Sequence, residues 1–389
     1  MARKTVSRNI AYDEAKQCYY VTFHYGTDAS SGRRVKRTRT YHDLGVAQTA
    51  LRQFEQQRHR LTVAHITMEV TLEEWLHYWL EKIVKPNREK STIYGYENII
   101  RNHVVPEIGS TPLYCLEAVE IQRYYTRMLD KGLSLNSIRK HHTLLHTALN
   151  TAVRQKVLME NCIDSVVPPQ VTEPKHYFYD AQQLHQLFRL SEGHPLELAV
   201  KLAGYLGLRR SEICGLKLSA VDLERGVIFI CAARTAVGGV AVDKGPKTAS
   251  SERHLSIGAI PDLHCLLERR WQEHCRQREL LGEAYNPGNY VLVTAEGVPY
   301  QPDYVSGWFS RFIRRHRLPP LTLHGLRHSF ASVANSQRIP LFDIGKALGH
   351  SNTATTSRIY THLFDDTHRD MLSQVAGAIA NDYEEYQGA

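Results

Sequence analysis

A polar segment near the end of the chain, LGHSNTATTSRIYTHL (residues 348–363), contains His350 and Tyr360, ten positions apart. The chain has 21 tyrosines and 21 histidines, so these two stand out only if other segments supply partners for them. A tyrosine hydroxyl has a pKa of about 10 and is a poor nucleophile at neutral pH unless its target is strongly activated. A phosphodiester becomes such a target when cationic donors face its non-bridging oxygens. The hypothesis of a nucleophilic tyrosine therefore depends on arginine-rich segments elsewhere.

Three further segments carry suitable residues: GLRRSEICGL (207–216), GPKTASSERHLSI (245–257) and LTLHGLRHSFAS (321–332). Together with the polar segment, they resemble the motifs of the tyrosine recombinase family, the site-specific DNA strand transferases that include phage and conjugative-transposon integrases. That family shows a G-L-R-x-S-E block, a lysine in a β-hairpin, an H-x-L-R-H block, and L-G-H-S followed by I-Y-x-H. Each motif alone is weak, whereas the ordered set is highly specific, and the resemblance extends from about residue 69 to about residue 365.

The resemblance implies a phosphate clamp made of two arginines. Arg209 and Arg327 match the family arginines that bind the scissile phosphate, and the arginine side chain offers a planar fork of donors for that task. Glu212 follows Arg209 by three residues on a predicted helix, a spacing at which it can orient the arginine. Arg210 competes with Arg209, but the family pattern places the functional arginine directly after Gly-Leu.

The remaining matched residues imply how protons and the strand are transferred. Lys247 matches the hairpin lysine that donates a proton to the leaving 5′ oxygen, with Lys244 as the competing candidate. His324 matches the residue that assists proton transfer at the nucleophile, and His350 the one that hydrogen-bonds the phosphate. Tyr360 matches the nucleophile, which forms a 3′-phosphotyrosyl bond and frees a 5′-hydroxyl. Because the ester retains the bond energy, the resemblance implies no ATP, metal ion or other cofactor.

Metal and nucleotide sites are alternative interpretations of the same segments. His324 and His328 have the i, i+4 spacing of a zinc pair, but Gly325 occupies the position where the metalloprotease motif needs Glu. The pairs His264–Cys265 and His274–Cys275 also suggest zinc, although ten helical residues rotate them away from each other. GGVAVDKGPKT resembles a phosphate loop in which Pro246 replaces the lysine. These features favour no metal site.

Composition describes a globular DNA-associated protein. The 389 residues suit two or three domains, and the net charge is +8. Residues 1–65 hold 12 Lys+Arg against 5 Asp+Glu, and such a local surplus favours binding to phosphate backbones. No run of 18 apolar residues and no hydrophobic signal segment is present, so we expect no membrane span and no secretion. Seven scattered cysteines without a CxxC pair indicate a reducing cytoplasm, and the resemblance implies a bacterial one.

The elements that must position these residues fall into three predicted domains and a tail. CYYVTFHY (18–25) and RRVKRTRTY (33–41) read as strands, and the apolar spacing over 43–60 predicts a helix that packs on them. This unit, 1–65, resembles an arm-type DNA-binding domain, in which a sheet enters a DNA groove. Its candidate DNA-binding residues are Arg33, Arg34, Lys36, Arg37 and Arg39.

A capping box at Thr71 and Glu74 opens an all-helical core-binding domain, 69–165, with helices near 91–105, 117–131 and 134–156. A Pro-rich linker, 166–178, follows. The catalytic domain, 179–375, is predicted to be mixed α+β, with helices near 181–192 and 194–217 and a single small antiparallel sheet that RHLSI closes. A tail, 376–389, ends the chain. The predicted fold class is therefore multidomain and mainly α.

The resemblance implies an integrase or excision enzyme of a mobile element, with double-stranded DNA as substrate at crossover and arm sites. Recombination breaks four strands, so the family implies a tetramer on DNA. An excisionase and host DNA-bending proteins are the accessory partners that such a reaction admits. Two other functions remain open: a type IB topoisomerase, which relaxes DNA as a monomer by the same chemistry, and a DNA-binding protein with a decayed active site. The arm-type domain and the complete residue set argue against them.

Overall fold

The computed structural model describes residues 3–27, 34–63, 70–171, 177–245 and 252–349. The chain divides into two compact units, Met1–Glu173 and Pro174–Ala389. This division lies inside the segment 166–178, and the boundaries of the predicted domains stay predictions. The predicted fold class is confirmed, since the described residues are mainly helical with small antiparallel sheets.

The amino-terminal sheet has four antiparallel strands in sequence order: β1 (Lys4–Ser7), β2 (Ile10–Asp13), β3 (Cys18–Thr27) and β4 (Arg34–Tyr41). Helix α1 (Leu44–Val63) covers one face, where Val21 and Phe23 of β3 pack against Ala47 and Phe54 of the helix. The prediction of two strands and a helix is confirmed. β1 and β2 were not predicted, because KTVS and IAYD are too short to show an alternating apolar pattern.

A helical bundle completes the first unit: α2 (Leu72–Trp79), α3 (Lys85–Asn87), α4 (Lys90–Ile99), α5 (Val105–Ile108), α6 (Ala118–Asp130) and α7 (Leu135–Arg154). The predicted capping box is confirmed: Thr71 Oγ1 accepts from the backbone N–H of Glu74 at 3.2 Å, and Glu74 Oε2 accepts from the N–H of Thr71 at 2.8 Å. The indole of Trp75 donates to the carbonyl oxygen of Ala148 at 3.1 Å, which ties α2 to α7 inside the core.

Two π-helical turns, Leu80–Val84 and Ile100–Val104, each precede a short helix that carries a proline. Pro86 and Pro106 have no N–H and would collide with the carbonyl group four residues earlier in a regular α-helix. The wider turn relieves this clash and lets the helical conformation continue through each proline.

The second unit begins with α8 (Ala181–Ser191), α9 (Glu197–Leu206) and α10 (Arg210–Gly215). Nearly every residue of α9 is buried, including Lys201, whose ammonium group is neutralised by Glu197 at 2.6 Å and Asp262 at 2.7 Å. The single helix predicted over 194–217 is wrong. Gly207 adopts a left-handed φ of 62° that ends α9, and α10 starts three residues later.

Five strands follow: β5 (Val221–Asp222), β6 (Val227–Ile230), β7 (Ala233–Val237), β8 (Val240–Lys244) and β9 (Arg253–Ser256). They form two sheets rather than the one predicted, because β9 pairs with β6 in the order β5–β6–β9 while β7 and β8 form a separate hairpin. The remaining described helices are α11 (Pro261–Leu281), α12 (Pro302–Arg315), α13 (Leu323–Ser336) and α14 (Leu341–Leu348).

Candidate active site

Arg209 lies in the short connection between α9 and α10, in an extended conformation directly before α10. Its backbone N–H donates to Glu212 Oε2 at 2.9 Å, and its Nη1 donates to Glu212 Oε1 at 2.8 Å. The two side chains therefore meet as predicted, although for another reason. Arg209 occupies the N-cap position of the helix on which Glu212 lies, and Glu212 accepts from its backbone N–H, whereas the prediction placed both residues on one helical face.

The carboxylate of Glu212 is shared with a second arginine, Arg253 of β9. Arg253 Nη2 donates to Oε2 at 2.9 Å and its Nη1 to Oε1 at 3.2 Å, a bidentate pair in which both side chains are almost fully buried. Burial alone would raise the pKa of Glu212, but the hydrogen bonds and charge of Arg253, followed by those of Arg209, hold that pKa below its usual value. Glu212 is therefore an anion at neutral pH.

Arg327 lies on α13 and is 2% exposed. Its Nη1 donates to the carbonyl oxygen of Gly207 at 2.8 Å, and its Nη2 donates to the carbonyl oxygen of Leu348 at 2.6 Å. The first bond reaches the turn that precedes Arg209, and the second reaches the end of α14. Arg327 thus links the turn before Arg209 to the end of α14.

Three consecutive carbonyl groups at the end of α14 accept from three different arginines. Ala347 accepts from Arg253 Nε at 2.7 Å, Leu348 from Arg327 as above, and Gly349 from Arg209 Nη2 at 3.2 Å. The last carbonyls of a helix carry its partial negative charge, so guanidinium groups are well placed there.

The electrostatic character of this cluster follows from its members. Three guanidinium groups and one carboxylate leave a surplus of positive charge among these described side chains. Arg209 is the most accessible of the three, with 34% of its side chain exposed. This arrangement can bind a phosphate group at the surface through Arg209, because the buried Glu212 already holds the Arg209 guanidinium group in place.

The other predicted residues lie around this cluster or outside the described residues. His324 is exposed at the start of α13, with its ring 5.0 Å from that of His328. Arg210 turns to α12 and pairs with Asp303 at 2.9 Å, so it is not part of the cluster. Lys247, His350 and Tyr360 lie outside the described residues.

Lys244, the alternative candidate to Lys247, is the last residue of β8. A network of polar side chains stabilises the hairpin formed by β7 and β8. Arg234 of β7 donates to Asp243 of β8 at 3.0 Å and to the hydroxyl of Tyr290 at 2.8 Å, and Tyr290 donates to Asp243. Lys217 lies 3.2 Å above the Tyr290 ring and donates to the carbonyl oxygen of Gly288. Burial raises the pKa of the Tyr290 hydroxyl, as does its bond to Asp243. The hairpin is thereby attached to the loop before α12.

The strand register places the candidate DNA-binding residues of β4 on two different faces of the sheet. Arg39 pairs with Val21 and Arg37 with Phe23, the two β3 residues that face α1, and Arg39 forms an ion pair with Glu160 at 3.0 Å. Lys36 pairs with His24 on the opposite face and is exposed. Arg33 and the side chains of Arg34 and Arg37 lie outside the described residues.

Sequence reasoning missed Arg253, although a signal was present. The strand RHLS alternates buried and exposed residues, and Arg253 has the parity of Leu255, which faces the core. An arginine at an inward position of a strand requires a buried anion, and Glu212 supplies it. Within the described residues no cluster of three or more His, Cys, Asp or Glu has the geometry of a metal site.

Comparison with known proteins defines the class. The model of the phage integrase family matches residues 178–367, and the model of the phage integrase N-terminal SAM-like domain matches residues 71–129. The two matches together cover well over half of the chain. The chain belongs to the phage integrase family, the tyrosine-type site-specific recombinases.

Individual relatives cover most of the chain. A tyrosine recombinase XerC-like protein of Caldanaerobacter subterraneus is 26% identical over 76% of this chain and 80% of its own length. The ICEBs1 integrase of Bacillus subtilis is 26% identical over 92% of this chain and 96% of its own length. The Tn1549 transposon integrase, solved in complex with transposon right end DNA, has a similar fold: the TM-score is 0.66 and the identity 22%, over 79% of this chain and 99% of that one. No helix in the described part of the chain has the length and apolarity that a membrane crossing needs.

Proposed function

We propose that this protein is the integrase of a mobile element, a site-specific recombinase that cuts and rejoins DNA through a 3′-phosphotyrosine at Tyr360. The observation that carries the proposal is the convergence of Arg209, Arg253 and Arg327 on the carbonyl groups of residues 347–349. Residue 350 follows directly, so the polar segment with His350 and Tyr360 starts at this cationic cluster.

The proposed reaction has two balanced steps. The Tyr360 hydroxyl passes its proton to His324 as its oxygen attacks the phosphorus, a new O–P bond forms, and the bond to the 5′ oxygen breaks, with Lys247 donating a proton to that oxygen. Arg209 and Arg327 stabilise the charge that develops on the non-bridging oxygens, and His324 and His350 assist. A 5′-hydroxyl from another strand then attacks the phosphotyrosine and gives its proton to Lys247, while His324 returns a proton to the tyrosine oxygen. The diester is restored and the tyrosine is freed.

Specificity for the arm-site DNA would come from the first unit. On the amino-terminal sheet, the face opposite α1 presents Thr22, Lys36 and Thr38, and the Arg3 guanidinium lies 3.7 Å above the Tyr20 ring on the same face. We assign this face, rather than the face on which Arg39 lies, to the arm-site DNA. The protein would act in the bacterial cytoplasm as a tetramer on DNA, with an excisionase and host DNA-bending proteins as accessory partners.

The test uses nicked duplexes tiled across the ends of the mobile element that encodes the chain. A short leaving fragment diffuses away after cleavage, so the covalent adduct accumulates and shifts the protein on a denaturing gel. We expect an adduct with the wild type and none with Tyr360→Phe, which loses only the attacking oxygen. Tyr304→Phe is the matched control, because Tyr304 is an exposed tyrosine of α12, and it should form the adduct normally.

Two outcomes would contradict the proposal. An adduct that persists in Tyr360→Phe would assign the nucleophile to another residue. The absence of any adduct in a wild-type protein that binds the duplex tightly would favour the decayed-site alternative.

A further inference from the structure

Arg253 connects three separate elements with one side chain. It originates on β9, its two terminal nitrogens bind the two carboxylate oxygens of Glu212 on α10, and its Nε binds the carbonyl oxygen of Ala347 on α14. Only 7% of the side chain is exposed. Lysine, with a single nitrogen, cannot make this set of bonds in the same geometry.

The bonds of Arg253 determine the charge state of Glu212. A buried carboxylate loses its hydration and stays ionised only if buried cations compensate. Arg209 is one-third exposed and shares Oε1 with Arg253, whereas Arg253 alone binds both oxygens through its guanidinium fork. The anion that holds Arg209 in place is therefore maintained mainly by Arg253.

The other end of Arg253 fixes the backbone ahead of His350. Gly349 has a left-handed φ of 66°, and a Cβ atom there would lie 2.9 Å from Arg253 Nη1. The end of α14 thus packs directly on the guanidinium group. The carbonyl groups of Leu348 and Gly349, which follow Ala347, accept from Arg327 and Arg209. By fixing the backbone at Ala347, Arg253 therefore also fixes the two carbonyl groups that these arginines bind.

We propose that Arg253 is a positioning residue of the recombinase active site: it joins Glu212 to the end of α14 and so sets the geometry of Arg209 and Arg327 around the scissile phosphate. Arg253 acts through Glu212 and α14 rather than on the phosphate itself, because its Nη1, Nη2 and Nε atoms already bind Glu212 and the carbonyl oxygen of Ala347. This inference rests on the proposed function and adds a residue to it that the family motifs did not supply.

The experiment compares Arg253→Lys, which keeps the charge and loses the fork, with the wild type in single-turnover adduct formation. We expect a rate lower by on the order of 100-fold, the usual effect of a misplaced transition-state donor. The duplex is then prepared with a methylphosphonate at the cleaved position, which removes one negative charge from the phosphate. The deficit of Arg253→Lys should shrink on this substrate, as should that of Arg209→Ala, because less charge needs stabilising.

A purely structural role predicts a different result. If Arg253 only supported the fold, Arg253→Lys would be slowed equally on both substrates, and that outcome would overturn the proposal, as would a wild-type rate on the phosphodiester. Arg225→Lys is the matched control, because Arg225 is 84% exposed and 3.8 Å from Asp222, and it should behave like the wild type. Circular dichroism and the melting temperature report whether each variant is folded.

A second readout does not need cleavage and separates this inference from the proposed function. In a Tyr360→Phe background, binding is measured to duplexes that carry a methylphosphonate at successive positions. The protein with Tyr360→Phe alone should bind the phosphodiester more tightly than the methylphosphonate at one position of the duplex. Adding Arg253→Lys should reduce this preference by the same factor as adding Arg209→Ala. An unchanged preference would refute the positioning role. The absence of an adduct in the wild type would count against the nucleophile assignment alone.

Discussion

The arginines of the cluster differ in how their charge is compensated. Arg253 faces a full negative charge on Glu212, whereas the bonds of Arg327 to Gly207 and Leu348 are to carbonyl dipoles. Arg209 also pairs with Glu212, but 34% of its side chain is exposed, so it suits contact with phosphate. Arg253 is only 7% exposed and binds both carboxylate oxygens, so it suits support.

A second buried titratable residue lies in the helical bundle. His141 of α7 is 2% exposed, its Nδ1 is 2.8 Å from the hydroxyl of Tyr124, and its ring is 5.1 Å from that of His103. Burial, with a smaller contribution from the charge of His103, lowers the pKa of His141 to about 4. The unfolded chain binds this proton near pH 6.5, so stability that is present above that pH is lost as the pH falls towards 4.

We expect His141→Gln to flatten this acid dependence. Glutamine does not titrate and still offers an acceptor to Tyr124, so the variant should lose about 3 kcal/mol less than the wild type between pH 7 and pH 4. The measurement is the free energy of unfolding in urea at both pH values. The control is His77→Gln at an exposed position of α2, which should follow the wild type. Parallel curves for His141→Gln and the wild type would show that His141 is not the group responsible.

The site residues named from the sequence belong to short local motifs, and their catalytic roles stay predictions. Arg209, Glu212 and Arg327 are read from blocks of six residues or fewer; the structure brings the two arginines to the end of α14 and pairs Glu212 with Arg209. Arg253 was missed because its partners lie 41 and 94 positions away, and no local pattern encodes such contacts. The parity of Arg253 with Leu255 indicates burial and leaves the partner unspecified.

At the scale of elements, breaks and bends were hardest to predict. The helix predicted over 194–217 is interrupted at Gly207, and that interruption places Arg209 outside the helices, at the N-cap position of α10. The division of the strands into two sheets was not predicted, because β6, β7 and β9 are only four or five residues long and the partner of each strand is decided by packing.

The hairpin β7–β8 is expected to depend on Tyr290 for its rigidity. Tyr290→Phe keeps the ring beneath Lys217 but removes the hydroxyl that bonds Arg234 and Asp243, at a cost of about 1 kcal/mol. Amide hydrogen exchange over residues 233–244 should become faster, and adduct formation should slow, because Lys247 follows this hairpin. Tyr304→Phe is again the control. Unchanged exchange in Tyr290→Phe would mean that backbone pairing alone holds the hairpin.

At the scale of the whole molecule, the described residues form separate hydrophobic cores, while the predicted domain boundaries stay predictions. The core around Val21 and Phe54 and the core around Trp79 and Leu145 share no residue, and a third core lies in the second unit. Each core produces its own periodic pattern, and turn-rich or Pro-rich segments separate them. Within the first unit, Arg39 of β4 forms an ion pair with Glu160, and a contact between residues so far apart in the sequence leaves no periodic pattern.

The same separation predicts that removing residues 1–65 spares the fold of the remainder and removes arm-site binding. In full-length protein, Lys36→Ala should reduce the slope of log K against log salt by about 0.9, the value for one phosphate contact, and the deletion should reduce it further. Fluorescence anisotropy over a salt series measures both. Lys16→Ala, at an exposed position of the turn between β2 and β3, is the matched control and should keep the wild-type slope. An unchanged slope after deletion would place the contacts on the helical bundle or the second unit, and would leave the face with Lys36 without a role in DNA binding.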